Sequence, residues 1–400
     1  LSLSWAFAFG QVPSVRIVVP GPIPASATPN AVVSISVGFD NVLVPVFSGK
    51  VDSPTADSDR VEIECVGQSW RLDVPYKRTI PVTFVGDANT IVQNLAIAAG
   101  LSSYVVNLPL WTIGSVVPQT LEFQTYGEAV MKVAEVDAGP WYELPMGTVR
   151  IEPHDPLPGP TPWRQYFSGQ LTGVAEAQPA GITNAAARPR ILGGQLRIDL
   201  REVCNSVTVR GATVETTGPE GEINSDVIET ACDGPSPWIP TPPGFRDFAF
   251  SNELIEAAAK AAQVCGRYYA LKNRLEQRLS LEIEGDPQLY LGATVQVEDS
   301  DYTGATGRWF VWGYSCSLDA GGFTSRLDLR GGGAPAGGTG QLDPFACFTW
   351  SNIKSSGGGD DVTGGKTNQV TPPAPANGND GGGGGPAAGG ASVIVTVDGR

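Results

Sequence analysis

The chain has 400 residues, with 50 Gly, 33 Pro, 41% hydrophobic and 17% charged side chains; that balance predicts short strands joined by tight turns in roughly two to four domains, and argues against long helices. Its net charge of −15 repels phosphate, which argues against a docking site for nucleic acid but is compatible with an acidic wall past which DNA slides. No apolar run approaches the roughly 20 residues that span a bilayer, and Leu1 to Phe9 lacks the basic start of a secretory signal. The non-Met first residue points to an unusual start codon or a processed end, and the chain is expected to be soluble and made in the cytoplasm.

In chain order, Val15 to Val19 reads as a strand, Gly21-Pro22-Ile23-Pro24 breaks it, and Ala31 to Val37 alternates small or apolar residues with Ser. Val42 to Phe47 is expected to rise into a turn at Phe47-Ser48-Gly49-Lys50, and a further strand alternates from Arg60 to Val66. Asp52-Ser53-Pro54 and Asp57-Ser58-Asp59 form the polar loop between them. Asp87 to Gly100 predicts a helix: Asp87 or Asn89 caps it, Ile91, Leu95 and Ala98 share a face, and Gly100 suits the left-handed position at its end. Thr125, with Glu128 three residues on, makes a capping box for a second helix striped by Ala129, Val130, Val133 and Ala134 and stopped by Gly139-Pro140. Trp141-Tyr142 and Thr148 to Ile151 then flank the turn Pro145-Met146-Gly147 as a hairpin.

Pro153 to Pro162 is proline-dense and reads as a boundary, after which strands resume at Gly194 to Leu200 and Ser206 to Val214. Pro235 to Pro243 is a second linker. Ser251 is expected to cap a third helix running to Gly266, with Leu254, Ile255, Ala258, Ala262 and Cys265 on one face. Strands follow at Leu279 to Ile283, Thr294 to Val297, Trp309 to Ser317 and Thr324 to Leu329. From Gly331 the chain turns Gly- and Pro-rich, too poor in apolar side chains to order itself, and ends on a strand-like Ser392 to Val397.

Barrel-like strands followed by a small helical insert describe a wall rather than a reaction pocket, and no catalytic, cofactor-binding or metal-binding residue is assigned. His154, the one histidine, lies beside Asp155 in a proline boundary; with no GxSxG elbow and no second histidine for zinc, it reads as a surface-loop residue. Asp299-Ser300-Asp301-Tyr302-Thr303-Gly304 imitates the opening of a calcium loop, but Phe310 stands where a bidentate Glu is required. A hairpin loop explains the same residues, and Asp57 and Asp59 are read the same way. No two carboxylates stand out as a glycosidase pair, and the Gly-rich stretches lack the P-loop pattern. Trp309, Phe310, Trp312 and Tyr314 are expected on a buried or interface strand rather than an exposed sugar platform. The six cysteines, at 65, 204, 232, 265, 316 and 347, show no CxxC spacing and are expected to be reduced.

Together these segments resemble the tail hub (baseplate hub, tail tip) proteins of tailed bacteriophages. The resemblance is carried by Val46 to Val51 and the strand Val61 to Gly67, the helix Thr90 to Ala96 closing at Gly100-Leu101, and Thr125 to Glu135 running into the Trp141 hairpin. Glu253 to Gln263, Leu291 to Val295, and the strands at Trp309 to Trp312 and Gly322 to Leu327 complete it. It implies a mainly β (α+β) fold of two tail-tube-like β-barrels with small α/β inserts and a Gly/Pro-rich C-terminal tail. The division expected is 1–75, first barrel portion; 76–152, α/β insert; 153–245, second β portion; 246–330, helix plus strands; and 331–400, extension with a terminal strand. The function implied is a non-enzymatic virion protein without cofactors, a homotrimer at the distal end of the tail. Its expected partners are the tail tube or distal tail protein, the tape measure protein and the tip spike or fibre proteins, with DNA only as transiting cargo and the host envelope touched indirectly. The lumen is expected to be lined by acidic and small polar residues, and Ser392 to Val397 to add a strand to a neighbour's sheet.

Two other readings are distinguishable. A secreted glycan-binding β-protein or adhesin predicts exposed aromatics, disulfides and a monomer, whereas the hub reading expects six free thiols. A tail-associated cell-wall hydrolase predicts a carboxylate pair in a cleft.

Overall fold

The computed structural model describes residues 1–39, 42–57, 59–76, 84–109, 111–114, 123–137, 139–153, 159, 162–168, 189–199, 203–217, 223–234, 246–273, 276–331 and 392–398. The chain opens with five strands: β1 (Ser2–Ala8), β2 (Ser14–Pro20), β3 (Val32–Phe39), β4 (Val42–Asp57) and β5 (Arg60–Gly67). A 3-10 helix (Gln68–Asp73) leads to β6 (Gly86–Asp87), α1 (Ala88–Ala99), β7 (Tyr104–Val106), β8 (Thr112–Ile113), α2 (Tyr126–Ala134), β9 (Tyr142–Glu143) and β10 (Val149–Ile151). Next come β11 (Arg164–Phe167), β12 (Ile191–Asp199), β13 (Ser206–Thr217), β14 (Ile223–Asp233), β15 (Asp247–Ser251) and α3 (Ala258–Lys272). The last strands are β16 (Glu276–Glu284), β17 (Thr294–Glu298), β18 (Thr306–Asp319), β19 (Gly322–Gly331) and β20 (Ser392–Asp398).

Alternation decides the main sheet. In β1, Leu3, Trp5 and Phe7 fall on one side and are buried, while Ser4, Ala6 and Ala8 fall on the other. That apolar row makes β1 central: it pairs antiparallel with β2 on one side and with β18 on the other. One twelve-stranded sheet results, in the order β12-β16-β19-β18-β1-β2-β5-β4-β3-β20, with β17 joined to β18 and β11 parallel to β17. A register shift in β18 between Val311 and Gly313 lets its first half pair with β17 and its second half with β1. The mainly β fold with small α/β inserts is present. The two barrels are not: no closed barrel is found among the described residues, where β20 pairs only with β3, β12 meets β11 through the single bridge Phe167–Arg190 just before it starts, and both halves pack on one shared core.

A second core lies between α1, α2, β10, β13 and α3. The two helices of the insert form as their sequences dictate. Asp87 caps α1 by accepting from Thr90 N at 3.0 Å, and Gly100 follows it at φ 83°. Thr125 Oγ1 accepts from Glu128 N at 3.2 Å at the start of α2, while Glu128 Oε2 accepts from Gln124 N at 2.7 Å. Ala129, Val130, Val133 and Ala134 are buried as the stripe required, and α2 ends at Ala134, before Gly139-Pro140. The Trp141 hairpin is β9 and β10, and β10 also pairs parallel with β7.

Four expectations are corrected. Phe47 to Lys50 is not a turn: β4 runs through it, pairing first with β3 and then with β5, and a register shift between Val51 and Ser53 accommodates the change of partner. Gly49 is required there, since a Cβ would stand 2.2 Å from Val66 O. The chain reverses only after Asp57, so Asp52 to Pro54 belongs to the strand. The third helix starts at Ala258, not after Ser251, because Ser251 ends a strand paired parallel with β13. Leu254 and Ile255 are buried from the turn before the helix, whose own buried residues are Ala261, Val264 and Cys265. The thiols are not all reduced: Cys232 of β14 and Cys265 of α3 form a disulfide with Cα atoms 6.0 Å apart, a pairing that only the packing of α3 over β14 reveals. Cys65 and Cys316 are free, and Cys347 lies outside the described residues. A terminal strand forms as expected: β20 pairs antiparallel with β3.

Candidate assembly surface

Opposite the apolar row of β1 the sheet turns a face of small residues to solvent. Strand register sets them in rows. One row reads Glu64, Arg16, Ser4, Ser317, Thr324, Glu284 across β5, β2, β1, β18, β19 and β16. The next reads Val66, Ser14, Ala6, Ser315, Arg326, Glu282, and a third Ala8, Gly313, Asp328, Ser280. Short side chains at the centre and long charged ones to either side leave a groove of about 700 Å³ over β1 and β18. The sequence carried this signal, since the residues between Leu3, Trp5 and Phe7 are all Ser or Ala, but the matching Ser315 and Ser317 were visible only once β18 was known to be the partner.

The charges on this face are mixed and largely matched. Arg16 is bonded to Glu62, whose carboxyl that hydrogen bond holds below its ordinary value. Glu276 takes Arg278 and Arg330 at 3.2 Å each, and Arg330 also lies 3.8 Å over the Trp312 ring. Burial pushes the Asp328 carboxyl up, against the pull of Arg330 and Arg278. A face of this kind has shallow relief and paired charge, so it offers no strong hold to a phosphate chain or to an apolar segment.

The residues weighed for chemistry resolve into structure. Asp299 is fully buried and its carboxylate accepts from Ser168 Oγ at 2.6 Å, Tyr302 N at 3.1 Å, Thr303 N at 2.9 Å and Thr303 Oγ1 at 2.6 Å. It shapes the β17–β18 loop with the valences a calcium ion would need, while Asp301 is exposed. Among the described residues no group of three His, Cys, Asp or Glu side chains is placed to hold a metal. Asp57 stands opposite Arg60 where the β4–β5 hairpin turns, and Asp59 O accepts from Gly21 N at 3.1 Å. His154 and Asp155 lie outside the described residues. Trp309, Phe310 and Tyr314 are buried, Trp312 is half-buried under Arg330, and no sugar platform results. Cys65 and Cys316 have thiols pushed up to about 12 by burial, which makes them poor nucleophiles.

One polar cluster escaped the sequence reading. Arg164 and Tyr166 of β11 reach Asp286, with Arg164 Nε 3.2 Å from Oδ2 and Tyr166 OH donating to Oδ2 at 3.1 Å. This buried set ties β11 to the turn after β16, and burial raises both the Asp286 carboxyl and the Tyr166 hydroxyl.

No protein-family model and no curated protein matches the chain. Solved structures do. The chain is similar to the tail protein from Neisseria meningitidis, at 14% identity and TM-score 0.56 over 82% of this chain and 91% of that one. It is also similar to the 43 kDa tail protein of prophage MuSo2 from Shewanella oneidensis, at 13% identity and TM-score 0.50 over 82% and 93%. The chain shares the fold of these two tail proteins. The resemblance to tail proteins in the sequence therefore holds at the level of the fold, and nearly the whole of each tail protein is spanned.

Proposed function

We propose that the chain is a structural virion protein: a homotrimeric tail hub at the distal end of a phage tail, joining the tail tube or distal tail protein to the tip, spike or fibres. The observation that supports this most is the tail-protein fold combined with a broad sheet face of small residues and paired charges, a surface suited to standing beside a passage rather than to gripping a ligand. In this reading three copies surround a channel, the tape measure protein and DNA pass as transiting cargo, and the host envelope is engaged only indirectly through the tip. The outer edge of β20, which pairs only with β3, carries unpaired backbone groups of the kind that assembly covers. The work is mechanical and the protein is not an enzyme.

Mass photometry and negative-stain imaging of the purified chain test it. Particles of three times the 41.8 kDa chain mass with three-fold rings are expected. A stable particle of one chain mass, alone and in the presence of a tail-tube protein, overturns the reading. The Cys232–Cys265 bond is a feature that the adhesin reading anticipated, but the burial of Trp309, Phe310 and Tyr314 removes the exposed rings that reading needs.

A further inference from the structure

The terminal strand β20 is attached in an unusual way. Seven residue pairs, from Ser392 opposite Gly38 to Asp398 opposite Val32, join it to β3, and it extends the main sheet at that edge. Val395 packs against the core, while Ile394 and Thr396 are exposed. β20 is thus a separable piece, held by one ladder and one inward row.

The length of chain leading to it exceeds what the fold requires. From β19 to β20 the sheet order counts β18, β1, β2, β5, β4 and β3 between them, a lateral distance of about 34 Å at the usual strand spacing. One strand length along the sheet adds roughly 25 Å, so about 20 extended residues join the two by the shortest route. Residues 332–391, by contrast, supply about 60, enough to reach roughly 200 Å when extended. About 40 residues of that length are in excess of the shortest route within one chain. That excess is what a strand needs to reach the same edge on another copy.

We propose that β20 is exchanged between copies: the β3 edge of each chain receives the β20 of a neighbour, through the register seen here. This rests on the multi-copy reading above and names the contact that ties the copies together. Exchange keeps every backbone bond of the β3–β20 ladder and changes only which chain supplies it, so its cost is confined to loop closure, which grows slowly with length. Each copy gives one strand and takes one, so a closed ring leaves no β3 edge bare.

The register supplies the test. Ser34 and Thr396 are opposite one another and both exposed. Two full-length chains of different tag size are co-expressed, one carrying Ser34→Cys and the other Thr396→Cys, then oxidised and run without reductant. A covalent species containing both tags is expected, lost on reduction and absent when either substitution is omitted. A chain carrying both substitutions is expected to give a ladder of two and three linked chains. Bonds that close only within single chains, or no bond at all, overturn exchange. Mass photometry of the same samples separates the two readings: trimers with only internal bonds refute exchange alone, and particles of one chain mass refute the multi-copy reading with it.

Discussion

In the twelve-stranded sheet, Leu3, Trp5 and Phe7 reach the core through alternation, and the flanking strands supply Tyr314, Phe47 and Phe323 as ring neighbours. The lobe around α1, α2 and α3 is joined differently. Its helices bury apolar stripes, but the docking of α3 and its leading turn onto α2 runs through polar atoms. Asn252 donates to Lys132 O at 2.8 Å and to Glu135 Oε1 at 2.7 Å, Lys260 Nζ reaches Asp137 Oδ2 at 2.6 Å, and Arg267 donates to Val136 O at 3.2 Å. A disulfide adds a covalent tie on the far side of α3. Apolar burial in the sheet tolerates small changes in angle, whereas directional bonds and a covalent link fix one docking pose. In the proposed hub, the contrast suits a wall that assembles broadly and a lobe that sits in one place.

Substitutions that separate these two modes should differ in size. The largest effect is expected in the sheet: Trp309, fully buried, replaced by Ala costs about 4 kcal/mol in denaturant unfolding, and a loss below about 1 kcal/mol would show that the shared core is not what holds β18. Next is Lys260→Met, which strands the buried Asp137 carboxylate. A loss of about 3 kcal/mol is expected, with hydrogen exchange rising in α3 and unchanged in β1; equal exchange in both would erase the distinction. Asp299→Ala removes four accepted hydrogen bonds from one loop and should cost about 2 kcal/mol. Calcium should leave the unfolding temperature of the native chain unmoved, and stabilisation by calcium would restore the metal reading. Thr125→Ala at the cap of α2 is worth about 1 kcal/mol, measured as the shift in the denaturant midpoint.

The smallest expected effect is a pH slope. Burial raises the carboxyls of Glu143, Glu135 and Asp286 above the ordinary values of 4.5 for Glu and 3.8 for Asp. Each folded group keeps its proton where the unfolded group has released it. The folded state therefore binds more protons in that window, and the stability these groups confer below the ordinary values is lost as pH rises through the raised ones. Arg16 with Glu62 acts in the opposite sense but is exposed and screened. An unfolding temperature that climbs steadily from about pH 4 to about pH 6 would contradict this balance.

Much of the local structure was legible. Asp87, Gly100, Thr125 and Glu128 mark helix ends because caps are short-range chemistry, and the period of two in Arg60 to Val66 placed β5. What stayed hidden was long-range. That β1 lies between β2 and β18, and that the two halves build one curled sheet rather than two barrels, depends on pairings between residues roughly 300 apart, for which local pattern holds no information. The start of α3 was misplaced because Ser251 and Leu254 fit a capped helix equally well, and only the parallel bond to β13 decides for a strand. The small-residue face was half visible in β1 and complete only with the register of β18.

The place of β1 also sets a timetable for the newborn polypeptide. Its partner β18 leaves the ribosome about 300 residues later, on the order of half a minute at ordinary elongation speed. Until then β1 has one long edge bare and Trp5 and Phe7 uncovered. During that interval the nascent chain depends on chaperones or on the β1–β2–β5 pairing alone, so premature termination before β18 should yield insoluble product rather than a smaller soluble fragment.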